Sequence, residues 1–300
     1  MKKKTGFEKF FTEKKGAARR EQYRQEKRKL KKELSEKAEA RKKQQLEATR
    51  PKIKLEKKDN SMPLNKYIAH SGVCSRRDAV PLIKDGTVKV NAEIITEPGF
   101  KVNPKDIVTV AGKKVHPVED LVYILLNKPK DYITTTEDER GRKTVMDLLK
   151  RAAPVKVYPV GRLDRNTTGV LLLTNDGELA QKLTHPRNEI KKVYAVTLNQ
   201  PLSKQHFDEI LKGVPLEDGI AHVDALAYTD QKDHTQIGIE IHSGRNRIVR
   251  RIFEHYGYDV KNLDRVMFAG LTKKNVDRGK WRYLSEKEVR DLKFFKKGKK

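Results

Sequence analysis

Tyr158-Pro159-Val160-Gly161-Arg162-Leu163-Asp164-Arg165-Asn166-Thr167-Thr168-Gly169, running on into the apolar Val170 to Leu173 and the turn Asn175-Asp176-Gly177, is the stretch around which the chain is organised. Two short strand-like segments bracket a polar loop that holds one carboxylate between two arginines. Gly161 and Gly169 permit tight backbone geometry at the two ends, so Asp164 can project into a cleft. Taken alone, the loop also has a plainer reading, a turn carboxylate salt-bridged to Arg162 or Arg165. The remainder of the chain decides between the two.

Working outward, 300 residues suffice for about two domains and a tail. The formal charge of +26 is the dominant compositional fact, and it makes a polyanion, nucleic acid above all, the expected partner. An anionic membrane is the rival, but no stretch approaches the ~18 apolar residues of a spanning helix, so no membrane is expected. Met1-Lys2-Lys3-Lys4 resembles the start of a signal peptide, yet Thr5-Gly6-Phe7-Glu8-Lys9 follows where an apolar region should be, which argues against export. The one cysteine, Cys74, cannot make an internal disulfide, and no Cys/His pair has zinc spacing. A reduced, cytoplasmic, metal-free protein is expected, and nothing demands more than a monomer.

Residues 1–60 hold 23 Lys and Arg against 10 Asp and Glu, half of the net charge. They offer no sustained apolar face, so they read as a disordered or marginally helical extension that either neutralises RNA phosphates or merely solubilises. From Met62 the pattern changes. Pro63 to Ala69 has helical spacing, and Ser75-Arg76-Arg77-Asp78-Ala79 reads as the start of a second helix capped by Ser75, with Pro81 falling inside it and removing a backbone bond. Short strands follow at Thr87 to Asn91, Ile94-Ile95 and Ile107 to Val110. This order resembles the S4 RNA-binding domain over residues 61–116, and the resemblance makes Lys66, Arg76, Arg77, Lys84 and Lys89 the phosphate-facing groups.

A hinge at 117–120 precedes a larger region, 121–294, and a basic tail, 295–300, closes the chain. Leu121 to Leu126 and Tyr132 to Thr136 read as strands, and Thr144 to Leu149 as a short helix. Beyond the opening stretch come a helix at Glu178 to Thr184, an alternating strand at Lys191 to Leu198, a helix at Ser203 to Gly213 and a strand at Ile237 to Ile241. A helix at Ile248 to Tyr256, a strand and turn at Leu263 to Leu271, and a Ser285-capped last helix complete it. The sum is α+β, with helices flanking a mixed or antiparallel sheet.

Four separated motifs occur in one order: Asn127-Lys128-Pro129; Gly161-Arg162-Leu163-Asp164 with Thr168-Gly169-Val170-Leu171-Leu172; Lys192-x-Tyr194; and Gly244-Arg245-Asn246-Arg247-x-Val249-Arg250-Arg251. With the S4-like part they resemble the RsuA/RluB/RluE/RluF group of ribosomal RNA pseudouridine synthases. Thr174 to Ala180 with Thr184-His185-Pro186 looks closer to the RluB branch, which acts on large-subunit (23S) rRNA, than to the small-subunit (16S) enzymes. The resemblance implies an isomerase that needs no cofactor, flips its target uridine and uses Asp164 as the central carboxylate. It makes Arg250 the neutralising cation, with Arg247 as the alternative, and Tyr194 the aromatic that stacks on the uracil. Leu271 would line the uracil pocket; Lys128, Arg162, Arg165, Lys192, Arg245, Arg247 and Arg251 would meet RNA, and Lys128-Pro129 would also support the pocket. A different class, a noncatalytic RNA-binding or ribosome-assembly factor of the same fold, has no reason to keep Asp164, Tyr194 and Arg250 together.

Overall fold

The computed structural model describes residues 36–37, 61–118, 120–149 and 155–294. The rest of the N-terminal extension and the 295–300 tail lie outside the described residues. From residue 61 on, the described chain belongs to one compact unit.

Its first part is built from β1 (Met62–Pro63), α1 (Leu64–His70), α2 (Ala79–Lys84), β2 (Val88–Val90), β3 (Glu93–Ile94), β4 (Lys101–Val102), β5 (Val108–Val110) and β6 (Lys113–Val115). Four strands pair antiparallel in the order β3-β2-β5-β6, and β1 pairs β4. Strict alternation drives this: Val88 and Val90 are buried beneath the helices while Lys89 points to solvent. The second helix differs from expectation. Ser75 closes a turn by accepting from the Asp78 amide at 3.2 Å, and helix proper begins at Ala79. Pro81 therefore sits in the first helical turn, where amides have no intrahelical partner, and no backbone bond is lost. Arg76 and Arg77 occupy the exposed turn ahead of the helix.

The second part comprises β7 (Tyr123–Lys128), β8 (Tyr158–Pro159), β9 (Thr167–Thr174), α3 (Gly177–Thr184), β10 (Lys192–Leu198), α4 (Lys204–Lys212), β11 (Val214–Leu216), β12 (Gly219–Ala221), β13 (Ala225–Tyr228), β14 (Gln236–Ile241), α5 (Ile248–Glu254), β15 (Val260–Phe268), β16 (Leu271–Thr272), β17 (Trp281–Tyr283) and α6 (Glu286–Lys293). The main sheet runs β13-β14-β10-β15-β9-β7-β17, with β8 and β16 attached at its margins. Only β9 and β15 pair in parallel, so the sheet is mixed and the α+β expectation holds.

Burial on both faces explains the unbroken apolar runs in β7 and β9. Ile124, Leu126, Leu171 and Leu173 enter one core with Tyr194, Val196 and the α5 residues Ile248, Val249 and Ile252. Tyr123, Leu125, Val170 and Leu172 enter a second core with Leu179 and Leu183 of α3 and Val289 and Leu292 of α6. The last helix begins with a capping box in which Ser285 and Glu288 satisfy each other's backbone amides.

Several expectations shift. The first strand of this part starts at Tyr123 and continues through Asn127 and Lys128, which pair with Val170 and Gly169. Tyr132 to Thr136 is not a strand: Ile133 makes one isolated bridge to Thr144, and Thr134 turns its hydroxyl to Leu163. Residues 145–149 form a 3-10 turn, and the Ile248 helix stops at Glu254. The edge strand β13, Ala-Leu-Ala-Tyr, went unread because alanine carries little strand preference.

Candidate active site

The Asp164 loop is fixed from below by a buried lysine. Lys128, at the end of β7, is 0% exposed, and burial of the ammonium pushes its pKa down to about 8, with the Asp164 and Asp131 charges opposing the shift. Its Nζ donates to the carbonyls of Asp164 (3.1 Å), Arg165 (3.2 Å) and Thr167 (2.9 Å), and to that of Pro129 (3.1 Å). A cation surrounded by four carbonyl oxygens cannot reach a phosphate, so the expected RNA contact at Lys128 is corrected to a clip that shapes the loop. Thr134 adds to it, donating its hydroxyl to the Leu163 carbonyl at 2.8 Å. The turn closes when the Thr167 amide donates to the Asp164 carbonyl at 3.0 Å.

Gly169 ends the loop where β9 meets β15. Its φ is +108°, and a Cβ there would lie 2.1 Å from the Arg265 carbonyl oxygen. Only glycine lets the two strands approach so closely at this point. The same register aligns Gly169 with Arg265, and Arg265 with Tyr194, so two strand spacings connect the foot of the loop to the aromatic residue.

Asp164 itself is half-buried, and among the described residues its carboxylate makes no ion pair or side-chain hydrogen bond. The plainer reading of this loop, neutralisation by the flanking arginines, does not hold. Arg165 turns to Asp131, 3.0 Å away, and Arg162 is exposed. Besides Lys128, Asp164 is electrostatically coupled to Arg250. That guanidinium on α5 is 9% exposed; burial and the neighbouring Arg247 lower its pKa, and Asp164 opposes them. Nη1 of Arg250 donates to the Val260 carbonyl at 2.7 Å, while its buried Nε has no partner. An under-satisfied buried guanidinium, electrostatically coupled to an unpaired carboxylate, leaves donor capacity for a third group. Tyr194 is 8% exposed and belongs to the same core as Leu163, Ile248 and Val249.

A second Leu-Asp-Arg tripeptide, Leu263-Asp264-Arg265, sharpens the contrast. Burial alone would raise the Asp264 pKa, but hydrogen bonds from Arg278, Lys273 and Thr168 hold it below the ordinary value. Asp264 is thus a structural carboxylate that ties β15 to the loop through Thr168 (2.8 Å) and to Arg278 (2.9 Å). Identical tripeptides have opposite environments, and only Asp164 is left to act.

Other expected contacts are redistributed. Lys192 donates to the carbonyls of Ile190 (2.7 Å) and His242 (2.6 Å), and burial pushes its pKa down to about 8; it braces β10 instead of meeting RNA. Arg245 and Arg251 both grip Asp218, at 2.9 and 2.6 Å, and Arg245 also takes the Gly219 and Ile220 carbonyls, so these two fasten the β11–β12 hairpin. Arg247 lies 3.1 Å from Glu254, and its φ of +47° makes it the corner from strand to helix. Leu271 packs with Phe268 and Val276 in the second core, on the sheet face opposite Tyr194, so it does not line a pocket beside that residue. Lys66 pairs with Glu178 at 2.8 Å across the boundary to α3, whereas Arg76, Arg77, Lys84 and Lys89 stay exposed. Sequence reading missed Thr134, Asp131 and Asp264. The repeated Leu-Asp-Arg tripeptide was the available signal for the last, while nothing local marked the other two.

Comparison with known proteins shows the chain to be an RNA-modifying isomerase. Residues 122–255 match the RNA pseudouridylate synthase family and residues 62–108 the S4 domain. The chain belongs to the RNA pseudouridine synthases of the RsuA/RluB/RluF type and is an enzyme of that class. It is 44% identical over 232 residues to the ribosomal large subunit pseudouridine synthase B of Bacillus subtilis (strain 168), a match covering 76% of this chain and 94% of that protein. It is 36% identical to the dual-specificity RNA pseudouridine synthase RluF of Escherichia coli (strain K12), over 78% of this chain and 79% of that protein. A crystal structure of a pseudouridylate synthase superposes with a TM-score of 0.56 at 26% identity, covering 77% of this chain and all of that one. Among the described residues no helix is long and apolar enough to cross a membrane.

Proposed function

We propose that this enzyme isomerises a specific uridine of large-subunit ribosomal RNA, free or in an assembling particle, with Asp164 as the reacting carboxylate. The observation that carries the reading is the state of that side chain: clipped in place through its backbone, left without an ion pair, and electrostatically coupled to buried Arg250. In the reaction the C1′–N1 bond of the uridine breaks, the uracil turns, C1′ bonds to C5, and the proton lost from C5 is balanced by one gained at N1. No electrons are exchanged with an outside group. Asp164 acts at the sugar, as nucleophile or as base toward a ribose proton. Arg250 supplies the buried positive charge coupled to that carboxylate and offers its unused Nε–H donor. Tyr194 stacks on the uracil extruded from the RNA, an extrusion that costs a few kcal/mol. Contacts by Arg76, Arg77, Lys84 and Lys89 offset that cost before chemistry begins. The large-subunit assignment rests on the similarity to the Bacillus subtilis protein. The site of action is the cytoplasm, and the working form a monomer.

Two measurements test this. Pseudouridine-specific labelling and mass spectrometry of ribosomal RNA from cells with and without the gene should show one large-subunit site lost. An unchanged map removes the reading, and a lost small-subunit site corrects the target. Asp164→Asn should abolish turnover with RNA affinity nearly intact; substantial residual activity means that another carboxylate reacts.

A further inference from the structure

Lys130 lies on the surface two residues beyond the buried clip. Its Nζ donates to Asn262 Oδ1 at 2.7 Å, a contact that crosses from the end of β7 to β15. Both ends of this strap are tied to the site. On one side, the next residue, Asp131, donates its amide to the Arg165 carbonyl at 3.0 Å, and Lys128 holds the Asp164 carbonyl. On the other, Asn262 is two residues from Val260, whose carbonyl takes Arg250. The strap therefore links the segment that holds the loop of Asp164 to the strand whose Val260 carbonyl takes Arg250.

Its chemistry suits an anion. Both residues are exposed, and among the described residues Lys130 forms no ion pair. The neighbouring carboxylates are engaged elsewhere, Asp131 with Arg165 and Asp264 with Lys273 and Arg278. A neutral amide oxygen uses one ammonium hydrogen and leaves the other two, and the Asn262 amide group adds a donor beside them. Lysine serves as a point charge for phosphate, and a side chain already held by a neutral partner loses less rotamer freedom on binding.

We infer that Lys130 and Asn262 form a binding site for a backbone phosphate of the RNA beside the extruded uridine. The inference rests on Asp164 marking the reaction centre. It assigns to Lys130 the contact that the buried Lys128 cannot make, and it makes the pair a determinant of how the substrate enters.

The experiment compares Lys130→Gln, Asn262→Ala, Lys130→Arg and Asp164→Asn in the full-length protein. RNA affinity over a salt series and steady-state turnover on an RNA fragment containing the modified site are measured for each. Lys130→Gln should weaken Kd and KM on the order of tenfold, lower the salt slope by about 1, and place the loss on KM and not on kcat. Asn262→Ala should lose less in the same direction, and Lys130→Arg should restore most of the affinity. Thermal melting should be unchanged in the Lys130 and Asn262 variants, because both side chains are exposed. Wild-type affinity and salt slope in Lys130→Gln, or a fall in kcat with KM unchanged, overturns the inference. If Asp164→Asn is inactive while Lys130→Gln matches wild type, this inference alone fails; if Asp164→Asn turns over normally, the assignment of the centre fails first.

Discussion

Lys128 shows how much one buried charge can settle. Its ammonium holds three carbonyls of the Asp164 loop, and replacing it with methionine would leave those oxygens without their donor, a loss on the order of 3 kcal/mol. Urea denaturation of Lys128→Met should register that loss together with a collapse of kcat. The pH response separates the two roles. The folded-state pKa of about 8 lies below the ordinary lysine value of 10.5, so between these values the unfolded chain binds the proton that the folded chain has released. The contribution of this group to stability therefore rises with pH across that window. Activity should move the other way, since a neutral amine grips the carbonyls less well: kcat should fall above about pH 8 while the melting temperature does not fall with it. Parallel declines would show that the ammonium is not what shapes the loop. Lys192, depressed to the same value, adds to the stability side with the same sign.

At the scale of elements, the parallel junction of β9 with β15 places the loop. Every other pairing in the main sheet is antiparallel, and this one brings Gly169 against the backbone of Arg265. Gly169→Ala would force a methyl group into a peptide carbonyl, not into a yielding side chain, so a loss of about 3 kcal/mol or more is expected in the denaturation midpoint. A melting curve within a degree of wild type would mean that the strands part at little cost. Much of this was legible in advance. The loop's bracketing glycines, the alternation of β10 and the Ser285 cap are local patterns; β10 and the last helix came through within a residue, whereas β9 begins at Thr167, three residues before its apolar run. Tyr132 to Thr136 did not, because its β-branched run satisfies loop contacts to Thr144 and Leu163 that no local period reveals.

Across the whole molecule, net charge sets affinity and ion pairing decides which charges contribute. Of the basic residues expected to face RNA from the S4 domain, Lys66 is committed to Glu178 of α3, and with Lys156, which donates to the Val73 carbonyl at 3.1 Å, it docks that domain on the catalytic one. Arg76→Ala and Arg77→Ala should each weaken RNA binding and reduce the salt slope by about 1. Lys66→Ala should leave the slope close to wild type, since its charge is already neutralised. An equal loss in all three variants would show that the Lys66 pair opens on RNA.

The sequence by itself determined the class of this protein: the +26 charge, the S4-like pattern and four ordered motifs are readable because each is a local arrangement of residue types. Asp164 was singled out in the same way. What only the tertiary structure decided was how the surrounding charges are divided. Whether a lysine is buried among carbonyls, as Lys128 is, or held on the surface by an amide, as Lys130 is, depends on strand register and on which oxygens the fold brings near. Arg245, Arg247 and Arg251 of the Gly244 motif likewise belong to Asp218 and Glu254 because a hairpin and a helix turn meet them there. Residue type fixes a charge, but its partner is fixed by distances between segments far apart in the chain, and those distances exist only once the sheet has formed.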